Sequence, residues 1–336
     1  MASMLAGFDL VAKPVSMGMV LLLALWLDRR FGEPSVAIHP VVWIGRYLKV
    51  CGQVTVRCPP APAFVLGAIA WAAGAAAAGA LAWGLQALTL WQLARFVAQP
   101  GLLHGLAALV LIAVMAWFAK SMLSWRMLVD EVGAVEVALQ QSLPAGRERL
   151  SWLVSRETGS LSESQVRESA IESLAENLND SVVAPIFWFV LLGLPGAVVY
   201  RFANTADAMW GYRGTYRGQH WEWAGKWAAW ADDALSWLPA RLTALLLMSA
   251  TGQSQIGTLR REAACTPSPN SGWPMAAMAM ALGVTLGKPG IYVLNASGRT
   301  PQTSDVDQAQ KYASKVLLAL VPCALAAIFF INLTFS

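Results

Sequence analysis

Four carboxylates, Glu168, Glu172, Glu176 and Asp180, recur at every fourth position of the stretch RESAIESLAENLND. On a helix, residues four apart lie on nearly one face, so they form a slowly rotating acidic stripe while Ile171, Leu174 and Leu178 pack elsewhere. Like charges at this spacing repel, so a cation belongs opposite; Arg167 or a divalent ion would serve. The plain alternative is a solvated helix face. What favours chemistry is the direct run through Asn177, Asn179 and Asp180 into a broken apolar segment, 182–199. Beyond it a second polar cluster follows: Arg201, Asn204, Asp207, Tyr212 and Arg213, continued by Lys226, Asp232, Asp233 and Arg241. Arginine engages phosphate or carboxylate through two parallel hydrogen bonds. Local ion pairing at lipid headgroups is the competing explanation for each of these residues.

Two further segments carry polar groups. LDRRFGEPSVAIHPVVWIGR holds Asp28, Arg29, His39 and Arg46, and helix capping is the simpler role for a lone His in a short loop. TPSPNSGWP places Ser268, Asn270 and Ser271 in a proline-stiffened turn whose N–H groups can face an anion. The adjoining GVTLGKPG is no nucleotide loop. It lacks the G-x-x-x-x-G-K-[ST] spacing, and Pro289 stands where a hydroxyl is needed.

These groups must be positioned by an unusually apolar chain. Of 336 residues, 57% are hydrophobic and only 13% charged, and 16 are Trp. Soluble domains are nearer a quarter charged, so the composition indicates an all-α integral membrane protein. The net charge of +4 without a basic tract speaks against nucleic acid as a partner. Cys51, Cys58, Cys265 and Cys323 form no C-x-x-C pair and indicate neither a disulfide framework nor a zinc site.

A helical span needs about 20 mostly apolar residues. About four full spans are expected: one starting near Leu5 and ending before Asp28-Arg29-Arg30, then 64–94, 102–119 and 316–334. The long 64–94 run reads as one tilted or protruding helix. The segments 182–199, 234–250 and 273–287 are defective, interrupted by Gly193-Leu194-Pro195-Gly196, by Pro239 and Arg241, or by shortness. They are expected to be re-entrant, interfacial or packed within protein. Trp223, Trp227, Trp230 and Trp237 at helical spacing predict an interfacial helix in contact with lipid, or a wall for a large planar ligand. Basic loops mark the cytoplasmic side. A hairpin turning at 193–196 keeps Arg201, Arg213, Arg217 and Lys226 inside. The expected organisation is one polytopic domain, 1–336, with an external N-terminus and cytoplasmic regions 28–63, 120–181 and 200–315.

Several long blocks, in order from Leu27 to Asn295, resemble the CobD/CbiB family, the adenosylcobinamide-phosphate synthases of cobalamin biosynthesis. They are LDRRFGEPSVAIHPVVWIGR, RESAIESLAENLNDSVVAPIFWFVLLGLPGAVVYRFANTADAMWGYR, WAGKWAAWADDALSWLPARLTALLL and TPSPNSGWPMAAMAMALGVTLGKPGIYVLN. The region 51–158 matches poorly. Glu33 stands where the family pattern leads one to expect Asp.

The resemblance implies an acid–amine ligase in the bacterial inner membrane with its active site facing the cytoplasm. It would join a carboxyl of adenosylcobyric acid to (R)-1-amino-2-propanol or its O-phosphate, using ATP and Mg²⁺, and later cobalamin-assembly enzymes would be possible partners. Such chemistry needs a metal and cations on phosphates, and a base for the ammonium. On this reading Glu172, Glu176, Asp180 and Asp207 bind the metal. Arg46, Arg167, Arg201, Arg213 and Lys226 hold phosphates, and Asn177, Asn204, Tyr212, Ser268 and Asn270 position substrate. His39, Glu168, Asp232 and Asp233 handle protons. The alternative is a transporter or a non-enzymatic membrane regulator. A transporter buries polar groups at mid-membrane, often in two related halves, and no second half is visible.

Overall fold

Apolar runs bounded by proline, glycine and charge become helices throughout residues 13–334, the part of the chain that the computed structural model describes. Two short antiparallel hairpins are the strand structure among these residues. Close contacts divide the chain into two units. Unit 1 comprises Met1–Ser124, Ala184–Leu235 and Cys323–Ser336, and unit 2 comprises Trp125–Val183 and Ser236–Pro322.

Unit 1 contains α1 (Lys13–Phe31), α2 (Pro40–Thr55), α3 (Pro60–Ala98), α4 (Leu102–Lys120), α8 (Ala184–Trp210) and the β1–β2 hairpin (Thr215–Tyr216, Gln219–His220). Helix α3 is one uninterrupted element of 39 residues, about 58 Å at 1.5 Å per residue. Its small residues let neighbours approach. Gly67 faces the Ala224 backbone, and Gly74 lies against the rings of Tyr47 and Phe202. Leu48, Ala75, Phe202, Ala206, Trp210 and Ala228 form the buried core there, and the Trp210 indole donates to the Leu48 carbonyl at 3.1 Å.

Helix α8 is broken at Gly193, whose φ of 70° and ψ of −156° are non-helical. The chain bends sharply enough that Gly196 lies against the Trp188 carbonyl. Gln86 of α3 fills the space beside Gly193 and its Oε1 accepts from the Leu194 N–H at 2.8 Å. The interruption expected at 193–196 is therefore a built break, held by a polar side chain from a neighbouring apolar helix.

Unit 2 contains α5 (Trp125–Gln141), α6 (Leu143–Leu150), α7 (Glu163–Leu178), a π-helical turn (Asn179–Val183), α10 (Ile256–Ala263), α11 (Gly272–Leu282) and the hairpin β3 (Leu286–Lys288) and β4 (Tyr292–Leu294). Helix α9 (Lys226–Thr251) and helix α12 (Thr303–Thr334) each supply residues to both units. A capping box starts α7: Ser162 Oγ accepts from Gln165 N–H, and Gln165 Oε1 accepts from Ser162 N–H. Val166, Ile171, Leu174 and Leu178 are wholly buried. Around α7 pack α5, α6, α11 and β3. The hairpin pairs Leu286 with Leu294 and Lys288 with Tyr292, and Gly290 supplies a positive φ of 72° in its turn.

Among the described residues, five helical runs are long and apolar enough to cross a membrane: Pro60–Ala98, Leu102–Gln141, Glu163–Trp210, Lys226–Thr251 and Thr303–Asn332. The chain is an all-α, multi-pass membrane protein. The spans expected at 64–94 and 102–119 lie within these runs, and the one expected at 316–334 overlaps the last of them. The first expected span begins outside the described residues, and its described part, α1, is not among the five. Segment 234–250 corrects the expectation of a defective span, since it lies in the continuous helix α9. Pro239 cannot donate to the carbonyl four residues back, Leu235, but the Trp188 indole does so instead at 3.0 Å. Segment 182–199 likewise lies within an apolar helical run, although one broken at Gly193. Segment 273–287 is short as expected, ending α11 and entering β3.

Candidate functional site

The acidic stripe is not a solvated face. Glu172 is 4% exposed, and the cation that like charges require is Arg156, from the loop after α6. Its Nη2 donates to Glu172 Oε2 at 3.0 Å and to Ser169 Oγ at 2.5 Å. The other carboxylate oxygen, Oε1, is buried and makes no hydrogen bond. Lys288 and Tyr292, from the β3–β4 hairpin, act on the same carboxylate. Burial, then the negative charges of Glu172 and Glu176, push the Tyr292 phenol far above its ordinary range. It therefore stays protonated, as a hydrogen-bond donor.

These groups line a cavity of about 180 Å³ bounded by 153–156, by Ser169, Glu172, Ser173, Glu176 and Asn177 on α7, and by Lys288 and Tyr292. A wider cavity of about 420 Å³ shares Lys288 and Tyr292 and adds Gln165, Glu168 and the hairpin turn. The predicted residues Glu168, Glu172, Glu176 and Asn177 are thus gathered on one groove. The Asn177 amide donates back to Ser173 O at 3.0 Å. Asp180, in the π-helical turn, accepts from the Asn179 amide at 2.8 Å.

Arg167, expected to hold phosphate, is instead buried and already engaged. Its Nε and Nη2 donate to the two oxygens of Glu136 at 2.9 and 3.1 Å, and Nη1 meets Glu163 at 2.7 Å. The turn expected to face an anion is also self-satisfied. Ser268 Oγ accepts from the N–H groups of Asn270 and Ser271, both at 3.2 Å. Asn270 Oδ1 accepts from Arg241 at 2.9 Å. Both features brace unit 2.

Within unit 1 a second polar cluster forms. His39 caps α2 by accepting from Val41 N–H on Nδ1 at 3.2 Å, which leaves its proton on Nε2, 2.9 Å from Glu33 Oε2. Both ring nitrogens are occupied, so His39 positions Glu33 and has none left for substrate. Burial alone would raise the Glu33 pKa. The His39 hydrogen bond, the Lys120 charge and Ser124 outweigh it and hold the carboxyl below its ordinary range. From Ser124 the connections run to Arg201 at 3.4 Å, on to Asn204 at 3.4 Å, and from Asn204 to Asp232 at 3.4 Å. Asp233 faces the Arg213 charge. The Asp207 carboxylate packs where a side chain at Gly211 would stand. Tyr212 stacks on Tyr216 at 3.7 Å, and burial, then that neighbour, push its phenol up to about 12. Lys226 sits over the Trp223 ring at 4.5 Å and 3.7 Å from Glu222. Arg46 is exposed on α2.

The four expected metal ligands do not assemble. Among the described residues no three His, Cys, Asp or Glu side chains converge to hold an ion. Glu172 is held by Arg156, Asp180 by Asn179, and Asp207 belongs to unit 1. This donor set does not fit a resident metal. Sequence reasoning missed Arg156, Lys288, Tyr292 and Glu33. The requirement for a cation opposite the stripe was the signal for Arg156, but the candidates it suggests in the local sequence are Arg167 and a divalent ion.

Residues 21–321 match the model of the CobD/Cbib protein family. A probable cobalamin biosynthesis protein CobD of Methanothermobacter thermautotrophicus is 39% identical over 82% of this chain and 86% of its own length. A second, from Pyrococcus furiosus, is 39% identical over 88% of this chain and 93% of its own. The cobalamin biosynthesis protein CobD of Chromobacterium violaceum is 38% identical, with coverage of 91% and 95%. No solved structure matches. With its matching blocks, helical architecture and relatives in agreement, this chain belongs to the CobD/CbiB family.

Proposed function

We propose that this protein, acting in cobalamin biosynthesis, forms the amide between a carboxyl of adenosylcobyric acid and (R)-1-amino-2-propanol or its O-phosphate. The observation that carries the reading is the groove on α7, where buried carboxylates and cations face one another in a chain of this family. A carboxylate is a poor electrophile, and ATP, entering with its own Mg²⁺, supplies the phosphoryl group that activates it. The residues here do the rest. Arg156 and Lys288 are the groove's anion-binding groups and Tyr292 is its neutral donor. Glu172 and Glu176 take cationic groups. Within unit 1, Asp232 is reached from His39 and Glu33 through Ser124, Arg201 and Asn204, with Asp233 beside it in sequence. Apolar helices keep the polar groups at the surface of a bacterial inner membrane, on its cytoplasmic side.

The test is direct. Purified protein in lipid nanodiscs is incubated with adenosylcobyric acid, either amine and Mg-ATP, and the amide and the nucleotide product are followed by mass spectrometry. Absence of amide with both amines, from folded protein, overturns the proposal. Uptake of the corrinoid by sealed proteoliposomes without chemical change would favour a transporter.

A further inference from the structure

We infer that the corner between α1 and α2, residues 29–46, binds the headgroup of an anionic phospholipid. Arg29, Arg30 and Arg46 take its phosphate oxygens, while Phe31, Val36, Ile38 and Trp43 enter the acyl boundary. The inference is independent of the amide-forming reading, and all of its residues belong to unit 1.

Position points first to the membrane boundary. Helix α4 has 19 residues, about 28 Å at 1.5 Å per residue, and the hydrocarbon core is about 30 Å thick. No Asp, Glu, Lys or Arg occurs between Arg95 and Lys120, so the charge that closes α4 marks an edge of that core. Lys120 is buried, and its charge acts on Asp28 near the end of α1 and on Glu33 in the loop that follows. The corner therefore stands level with the end of a span. Its loop is fixed in shape. Gly32 turns the chain at a positive φ of 63°. The Ile38 N–H donates to the Ser35 carbonyl at 3.1 Å, and the Trp43 indole donates to the Ala37 carbonyl at 3.0 Å. His39 and Glu33 engage each other, whereas Phe31, Val36, Ile38 and Trp43 are between 44% and 67% exposed. Four large apolar side chains standing out from a braced loop mark a surface for lipid or for protein.

Charge chooses an anionic lipid. Arg29, Arg30 and Arg46 are exposed. The Arg30 guanidinium lies 5.7 Å from the centre of the Phe31 ring, and Arg46 follows Trp43 by three residues on α2, on the same face. Carboxylates are withdrawn from this surface. Asp28 is buried, Glu33 is engaged by His39, and no Asp or Glu occurs from 34 to 129. Guanidinium meets phosphate through paired hydrogen bonds, and an indole such as that of Trp43 settles at headgroup level. A cation close to an anionic leaflet gains about fivefold in affinity, a gain that a zwitterionic headgroup does not supply. The competing occupants are a second copy of this chain, which would bring like charge against like across a two-fold contact, and an acidic face of another protein.

Native mass spectrometry of the full-length protein released from nanodiscs reads the retained lipid without substrate or turnover. The probes are phosphatidylglycerol and phosphatidylcholine, supplied in equal amounts. Phosphatidylglycerol should be retained at least about fivefold over phosphatidylcholine. Arg46→Gln should lower its retention about fivefold and the Arg29→Gln, Arg30→Gln double variant by more, with Arg46→Lys restoring most of the loss. Arg57, also exposed, stands about 20 Å further along the direction of α2, so Arg57→Gln should change nothing. A dye on Ile38→Cys, in a chain whose native cysteines are replaced by serine, should be quenched by brominated acyl chains, and a dye on Val54→Cys should not. The inference is overturned if phosphatidylglycerol is held no better than phosphatidylcholine, or if the arginine variants of the corner retain it as wild type does. It is equally overturned if Arg57→Gln loses as much lipid as Arg46→Gln. An Ile38 dye that escapes the brominated chains would also overturn it, and energy transfer between copies carrying that dye would then make the corner a self-association surface.

Discussion

Removing one partner from the Arg167–Glu136 pair should destabilise unit 2 without touching substrate affinity. Arg167 is 9% exposed and Glu136 is 5% exposed, and two hydrogen bonds of 2.9 and 3.1 Å join them in a bidentate fork. Glu136→Gln keeps the shape but leaves a buried guanidinium with one exposed carboxylate partner and a long bond to Thr303 at 3.3 Å. Breaking a buried pair in this way costs about 3–5 kcal/mol. Glu163 meets the same guanidinium, but its side chain is 61% exposed, so Glu163→Gln should cost only about 0–1 kcal/mol. At roughly 2–4 °C per kcal/mol, Glu136→Gln lowers the unfolding midpoint by about 6–20 °C. Replacing both partners by Leu and Met should recover much of that loss, because no unpaired charge is left. The assay is thermal unfolding in detergent micelles followed by tryptophan emission, with binding of a non-hydrolysable Mg-ATP analogue titrated alongside. If Glu136→Gln melts like wild type while Arg167→Ala loses nucleotide affinity, Arg167 is a phosphate ligand after all and its structural role is refuted.

Gly193→Ala places a side chain at positive φ against the Gln86 amide, and should cost about 1–3 kcal/mol in unfolding experiments; Gln86→Leu, which strands the Leu194 N–H, should cost a similar amount. Trp188→Phe leaves the Leu235 carbonyl without a donor opposite Pro239, and should lower stability by about 1–3 kcal/mol, whereas adding Pro239→Ala should restore it. Glu33 has a folded-state pKa below its ordinary value, so its contribution is present above that value and disappears as pH falls through the folded one. Stability measured across the acid range should slope there, and Glu33→Gln should flatten the slope; an unchanged slope argues against the His39–Glu33 contact. Cys265 is exposed, so in inverted membrane vesicles, but not in intact cells, it should react with an impermeant maleimide.

Local pattern alone made much of this architecture legible. Uninterrupted apolar runs with charged ends place α3, α4 and the second half of α12, because hydrocarbon tolerates backbone only when its hydrogen bonds close within the helix. Glycine and proline at 193–196 located the break in α8, since φ/ψ preference is a property of the residue itself. The four-residue spacing put Glu168, Glu172 and Glu176 on one groove for the same reason.

Partner choice was settled only by the tertiary fold. Arg167 precedes the stripe in sequence, yet its carboxylate lies 31 residues upstream, while the stripe takes Arg156 from a loop that local signals passed over. Lys288 read as part of a failed nucleotide loop and Tyr292 carried no signal, yet both became the groove's far wall once β3 and β4 paired. Pro239 looked like an interruption until an indole 47 residues from the Leu235 carbonyl supplied the missing donor. Spacing along a chain determines which side chains share a face. Which of them meet, and whether a charge is answered by protein, water or ligand, depends on surfaces that come together only when distant segments pack.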